Sequence, residues 1–217
     1  MTLVAVAHGT RVPAGQAAIH DLIARVARRR PLLDVRLSYV DVQAPHVSDV
    51  VTGGSVVVPL LLTAGYHVRV DIASAAARVG AAVAPPLGTG GALLPVLASR
   101  LAAAGPADAV VLAAAGSSDA GARAEVAAVA GALPVAARVG YAAAGGPRVP
   151  EVVAALRSAG AERIVVLTYL LADGRFYRSL ARSGADVVTP PLASHPAVVD
   201  LILAHHDRSC APAAVPA

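Results

Sequence analysis

The sequence predicts an α/β fold of two similar lobes, each a small parallel four-stranded sheet flanked by helices, with a cleft between them. Three observations carry that prediction. Apolar runs of about five to seven residues alternate with segments of helical period, the mark of βα units. The chain is 56% hydrophobic and 15% charged, and its Ala and Val are spread through short segments, as in sheets covered on both faces. The chain also repeats itself. Leu3 to Arg11 resembles Ala109 to Ser118, and Tyr39 to Val51 aligns without gaps on Tyr141 to Val153. Leu61-Leu62-Thr-Ala-Gly65 matches Leu170-Leu171-Ala-Asp-Gly174, and Pro85-Pro86-Leu87 matches Pro190-Pro191-Leu192. Four anchors in one order, offset by 102 to 109 residues, make chance similarity a poor explanation.

In the first half the strands fall at 3–7, 34–40, 55–61 and 81–84, and the helices at 14–29, 46–52, 68–79 and 91–104. The first helix ends in Arg28 to Arg30 before Pro31, where cations complement the helix dipole. The halves join near Gly105–Pro106, a turn-forming pair. In the second half strands near 109–113, 135–141, 163–170 and 185–188 alternate with helices near 120–131, 148–159, 175–183 and 196–206. The domains are therefore read as 1–105 and 106–207, followed by a flexible Pro/Ala-rich tail over 208–217. Right-handed crossovers place helices on both faces of each sheet.

Composition excludes several classes. A mean hydropathy of +0.64 raises the question of a membrane protein. The longest apolar stretch, Val50 to Val68, is cut by Gly53–Gly54, Pro59 and Gly65, so no membrane partner is expected. All 18 basic residues are Arg, a usage signature of a GC-rich genome, and they are scattered, which argues against nucleic acid. The single cysteine, Cys210, allows neither a disulfide framework nor a Cys-based metal site. With no basic or apolar leader before the first strand, a cytoplasmic location is expected.

Ligands of open α/β sheets bind beyond the carboxyl ends of the strands. His8 ends the first strand, Asp41 ends the second and His67 follows the third, so three potential metal or proton ligands converge on one lobe. Their counterparts in the repeat are Ala115, Ala143 and Phe176, whereas the scaffold residues Tyr141, Pro147 and Gly174 persist. That is the pattern of one working site and one retired copy. Two imidazoles and a carboxylate suit a divalent first-row metal. So few ligands favour an ion that must leave over a closed structural site, and neutral His also accepts protons near pH 7.

His8-Gly-Thr-Arg11 and Pro59-Leu-Leu-Leu-Thr-Ala-Gly-Tyr-His-Val-Arg-Val-Asp71 resemble the motifs of the sirohydrochlorin chelatases of the siroheme and cobalamin pathways, within the class II chelatase superfamily. The resemblance covers essentially the whole chain. It implies a lyase that inserts Fe²⁺ or Co²⁺ into sirohydrochlorin without ATP, the metal being substrate and no permanent cofactor being needed. It also implies that His8 and His67 hold the metal, with Asp41 where the family commonly has Glu. Since shorter members pair as homodimers, the duplicated chain is expected to be a monomer. The acid-rich tetrapyrrole partner would need cations, for which Arg11 and Arg69 are best placed, and Phe176 would contribute from the silent lobe.

The remaining histidines read as structural: His20 on a helix surface, His46 at a helix start, His195 in a turn, and His205–His206 as cations ending the last helix. Gly88-Thr-Gly-Gly91 lacks a phosphate-loop pattern and reads as a turn. Two other functions fit part of the pattern. One is a divalent-metal storage or sensing protein using the same three residues. The other is a histidine phosphatase, which would want Arg where Ala7 precedes His8.

Overall fold

A computed structural model describes residues 2–143 and 145–210. It contains two four-stranded sheets, in which every pairing is parallel. The first half runs β1 (Thr2–Ala7), α1 (Pro13–Arg29), β2 (Asp34–Tyr39), α2 (Val47–Val50), β3 (Ser55–Pro59), α3 (Ala73–Ala77), β4 (Ala82–Val83) and α4 (Leu94–Ala104). The second half runs β5 (Ala109–Ala114), α5 (Ala120–Gly131), β6 (Ala137–Tyr141), α6 (Val149–Ser158), β7 (Ile164–Tyr169), α7 (Arg175–Leu180), β8 (Val187–Val188) and α8 (Pro196–Cys210). The sheets have the matching orders β2-β1-β3-β4 and β6-β5-β7-β8, so the sequence repeat is a repeat of topology. Among the described residues, no helix is long and apolar enough to cross a membrane.

The differences from expectation lie at the weak elements. The helix expected over 46–52 is the single turn α2, stopped before Thr52-Gly53-Gly54. The segment expected as one helix over 68–79 begins as a π-helical turn, Val68–Ile72, before tightening into α3. Gly90 and Gly91, both at positive φ, delay α4 until Leu94, with proline in its first turn. At the other end, α8 continues to Cys210, so Arg208, Ser209 and Cys210 of the expected tail are helical. Residues 211–217 of that tail lie outside the described residues.

Strand alternation divides the interior into three parts. Leu3, Ala5 and Ala7 of β1 face a large central core, while Val4 and Val6 face the outer side, against Val47, Val68 and Ile72. Likewise Val110, Leu112 and Ala114 of β5 face the central core, and Val111 and Ala113 face Val149, Val152 and Leu180. The central core belongs to both halves. Helix α8 packs on β3, β4 and α1 of the first half, and α4 packs on β7 of the second. Each half thus lends its last helix to the other, a contact that periodicity along one chain segment cannot reveal.

This exchange also corrects the reading of His205 and His206, which are buried within α8 rather than exposed cations at its end. His205 donates from Nδ1 to the Pro85 carbonyl oxygen at 2.9 Å, a bond from the second half to the first. Burial, with Arg208 adding to it, pushes its pKa below the ordinary 6.5, and the Pro85 bond only partly opposes this. Between the folded and unfolded pKa values the unfolded chain binds more protons, so this contribution to stability is full above the unfolded value and is lost as pH falls. We expect the melting temperature to drop between about pH 7 and pH 5, and His205→Gln to shrink that drop. Thermal melts across this range check it.

Candidate metal centre

The site forms where three strands of the first sheet end. His8 directly follows β1, and the chain must turn at once to clear it. Gly9 makes that turn at φ +97°, and a Cβ there would collide with the Asp41 carbonyl oxygen, so only glycine fits. Its repeat counterpart Gly116 has φ +100°. The loop is then fixed by glutamines: Gln43 accepts from the Thr10 backbone N–H at 2.8 Å, and Gln16 donates to the Thr10 carbonyl at 2.8 Å. His67 opens the π-helical turn beyond β3, a helical distortion often found at functional sites.

The two imidazoles meet edge to face, their ring centroids 4.9 Å apart at an interplanar angle of 88°. Each has Nδ1 occupied within its own loop. His67 Nδ1 lies 2.7 Å from Asp71 Oδ2, one turn further on, and His8 Nδ1 lies 3.3 Å from the Gly9 carbonyl oxygen. Donation at Nδ1 in both cases leaves Nε2 as the lone-pair atom, the tautomer a metal ligand requires. Asp71 is the residue that sequence reading left without a role. The signal was available, since a carboxylate four residues after a histidine on a helix shares its face.

Asp41 stands beside this pair through its backbone, donating N–H to the His8 carbonyl at 3.1 Å. Its carboxylate Oδ1 accepts the Val42 N–H at 2.7 Å. Among the described residues no three His, Cys, Asp or Glu side chains form a metal-holding group, so the structure pairs His8 with His67 and leaves Asp41 outside such a set. Val42 itself has φ +67°, an uncommon conformation for a β-branched residue, beside the candidate site.

The second half grips the His67 loop at three points. Tyr169 Oη donates to the Leu62 carbonyl at 3.3 Å, Glu125 Oε2 accepts the Ala64 N–H at 3.1 Å, and Asp119 pairs with the Arg69 guanidinium. Burial, with the Glu125 charge adding to it, raises the Tyr169 pKa and keeps that hydroxyl a donor. Arg69 is thus already engaged with Asp119 through one guanidinium nitrogen. Arg11, by contrast, is exposed and has no ion-pair partner among the described residues. Phe176 lies in the second lobe, packed on its outer core, with the Arg175 guanidinium 5.6 Å from its ring centroid.

The other histidines occupy structural places. His46 accepts the Ser48 N–H as the cap of α2, His195 accepts the Ala197 N–H at the start of α8, and His20 is exposed on α1, 3.4 Å from Tyr39 Oη.

Comparison with known proteins agrees with this architecture. The structure of SirB from Bacillus subtilis with Fe³⁺ superposes with a TM-score of 0.80 at 22% identity, covering 97% of this chain and 95% of that one. SirB from B. subtilis subspecies spizizenii in complex with cobalt gives a TM-score of 0.73 at 21% identity, covering 96% and 94%. CbiX, described as the terminal enzyme for siroheme biosynthesis in denitrifying bacteria, gives 0.70 at 22% identity, covering 96% and 99%. Comparison with the curated proteins finds none that matches. The CbiX family profile matches residues 2–104 and again 109–209, so the two halves are two copies of one family domain and the chain belongs to the CbiX family.

Proposed function

We propose that the chain inserts a divalent metal, Fe²⁺ or Co²⁺, into sirohydrochlorin without ATP, in the biosynthesis of siroheme or cobalamin. The observation that carries this reading is the His8–His67 pair, two imidazoles that each keep Nε2 available at the strand ends of one lobe. The family membership supports it, as do the solved relatives described with iron or cobalt.

The metal is a substrate here, and the ligand set suits its passage. Two protein ligands hold an ion less firmly than the four of a closed structural site, which lets a macrocycle's nitrogens take it over. Insertion exchanges M²⁺ for two pyrrole protons. As the ion leaves, His67, with Asp71 stabilising the imidazolium that forms, can take one proton at Nε2. Asp41, exposed beside His8, can take the other. In this reading the macrocycle lies between the lobes, Arg11 receives one of its carboxylates, and Phe176 meets it from the second lobe. Arg69 joins through the guanidinium donors that its Asp119 partner leaves free. The protein acts as a cytoplasmic monomer, the duplicated halves of 1–105 and 106–207 replacing a homodimer.

The test is an anaerobic absorbance assay with the purified chain, sirohydrochlorin and Fe²⁺, Co²⁺ or Ni²⁺ in turn. A metal-dependent spectral change well above the uncatalysed rate is expected. No change above that rate with any of the metals overturns the proposal.

A further inference from the structure

The retired copy is not featureless. Beside the position equivalent to His67, the second lobe has an open depression of about 390 Å³ lined by Ala143, Arg148, Arg175, Phe176, Ser179 and Arg182, its three arginines exposed. By the sequence repeat, Ala143 stands for Asp41, Phe176 for His67, Arg175 for Tyr66 and Arg148 for His46. No acidic residue or histidine lines the cavity, and three arginines do. The charge preference of the site has been inverted along with the loss of its metal ligands.

The arginines lack the partners that their neighbours have. Arg30, Arg69, Arg157 and Arg178 each pair with an aspartate, but Arg148, Arg175 and Arg182 pair with no carboxylate among the described residues. Arg148 is oriented by one bond to the Ala142 carbonyl, as His46 is by its bond to Val40, and retains further N–H donors. Arg175 is steadied over the Phe176 ring. The Ser179 hydroxyl is committed to the Phe176 carbonyl at 2.6 Å, which leaves the guanidinium groups as the pocket's donors. Glu151 is the nearby carboxylate, accepting the Arg148 backbone N–H at 2.8 Å, and it leaves the three guanidinium groups unpaired, each able to bind an oxyanion bidentately.

We propose that this depression, beside the second lobe's counterpart of His67, binds the carboxylate or phosphate groups of an organic anion through Arg148, Arg175 and Arg182. The loop that leads into Arg175, at the start of α7, borders the first lobe's site. A side chain at Gly15 would meet the Asp173 carbonyl, and one at Gly174 would reach 3.8 Å from Thr10 Oγ1. The peripheral carboxylates of a tetrapyrrole in the cleft are therefore one source of the anion, an assignment that rests on the function proposed above. A phosphate-bearing solute is the other.

Binding to the full-length chain tests this at low salt. Calorimetry reads citrate and inorganic phosphate, and anaerobic fluorescence titration reads metal-free sirohydrochlorin. Arg175→Gln/Arg182→Gln is compared with Arg28→Gln/Arg78→Gln, which removes equal charge from exposed arginines of the first lobe, after melts show both to be folded. We expect the pocket variant to weaken at least one probe tenfold or more, and the control to stay within twofold. A loss confined to sirohydrochlorin and citrate identifies carboxylates as the ligand, whereas a loss led by phosphate identifies phosphate. If wild type ignores sirohydrochlorin while citrate or phosphate still depends on the two arginines, the chelatase reading fails and the pocket stands. Equal loss in the control, or no loss for any probe, overturns the pocket whatever the chelatase activity.

Discussion

Replacing His67 with alanine is expected to lower kcat/KM for metal insertion by about a hundredfold or more while leaving the fold intact. In the proposed site the imidazole would supply one of two nitrogen ligands, so its loss would halve the set. The cost to stability is small. His67 and Asp71 are both partly solvated, with side chains 34% and 29% exposed, and a contact of this kind contributes about 1 kcal/mol or less. Asp71→Asn is expected to give the lesser loss of a group acting through the ligand, about tenfold. Steady-state kinetics and melts on both variants separate the two roles. Turnover in His67→Ala within twofold of wild type would place the metal elsewhere.

Removing α8 by ending the chain after Ser194 is expected to destroy the first half of the fold, although every deleted residue belongs to the second. Val198, Ile202 and Leu203 of α8 are buried in the shared core, and the helix covers β3 and β4 of the first sheet. Burying a side chain of this kind stabilises by about 1.5–3 kcal/mol. Three of them approach the whole stability of a typical domain, about 5–15 kcal/mol. Ile202→Ala is the milder probe, with an expected loss of about 2–5 kcal/mol. Circular dichroism melts check both chains. A truncated chain that keeps a cooperative melt near the wild-type temperature would mean that the exchanged helix does not hold the halves together.

The regular elements were legible because the physics behind them is local. The β1 run Leu3-Val-Ala-Val-Ala7 is buried on both faces, and its unbroken apolar character announces that. The duplication was legible because it preserved turn chemistry such as Gly9 and Gly116, whose backbone conformations exclude other residues. Helix exchange was not legible, since the apolar faces of α4 and α8 would look the same packed on either sheet. At the site, the strand-end rule singled out His8 and His67, whose rings stand together in the fold. It gave no rule for side-chain direction, so it could not see Asp41 turned onto the Val42 N–H or Arg69 drawn to Asp119. The first is a bond to the next residue that spacing does not announce, and the second depends on a contact from the other lobe. The burial of His205 and His206 was hidden for the same reason.

The central claim is that only the first copy carries the metal, on His8 and His67. Its most direct test is cobalt K-edge X-ray absorption on the Co²⁺-loaded chain, with the bound metal counted. The account predicts one Co²⁺ per chain with scattering from two imidazoles, reduced to one in His8→Ala and in His67→Ala and to oxygen ligands alone in the double variant. Two equivalents of tightly bound metal per chain, or an imidazole signal unchanged in the double variant, would contradict it.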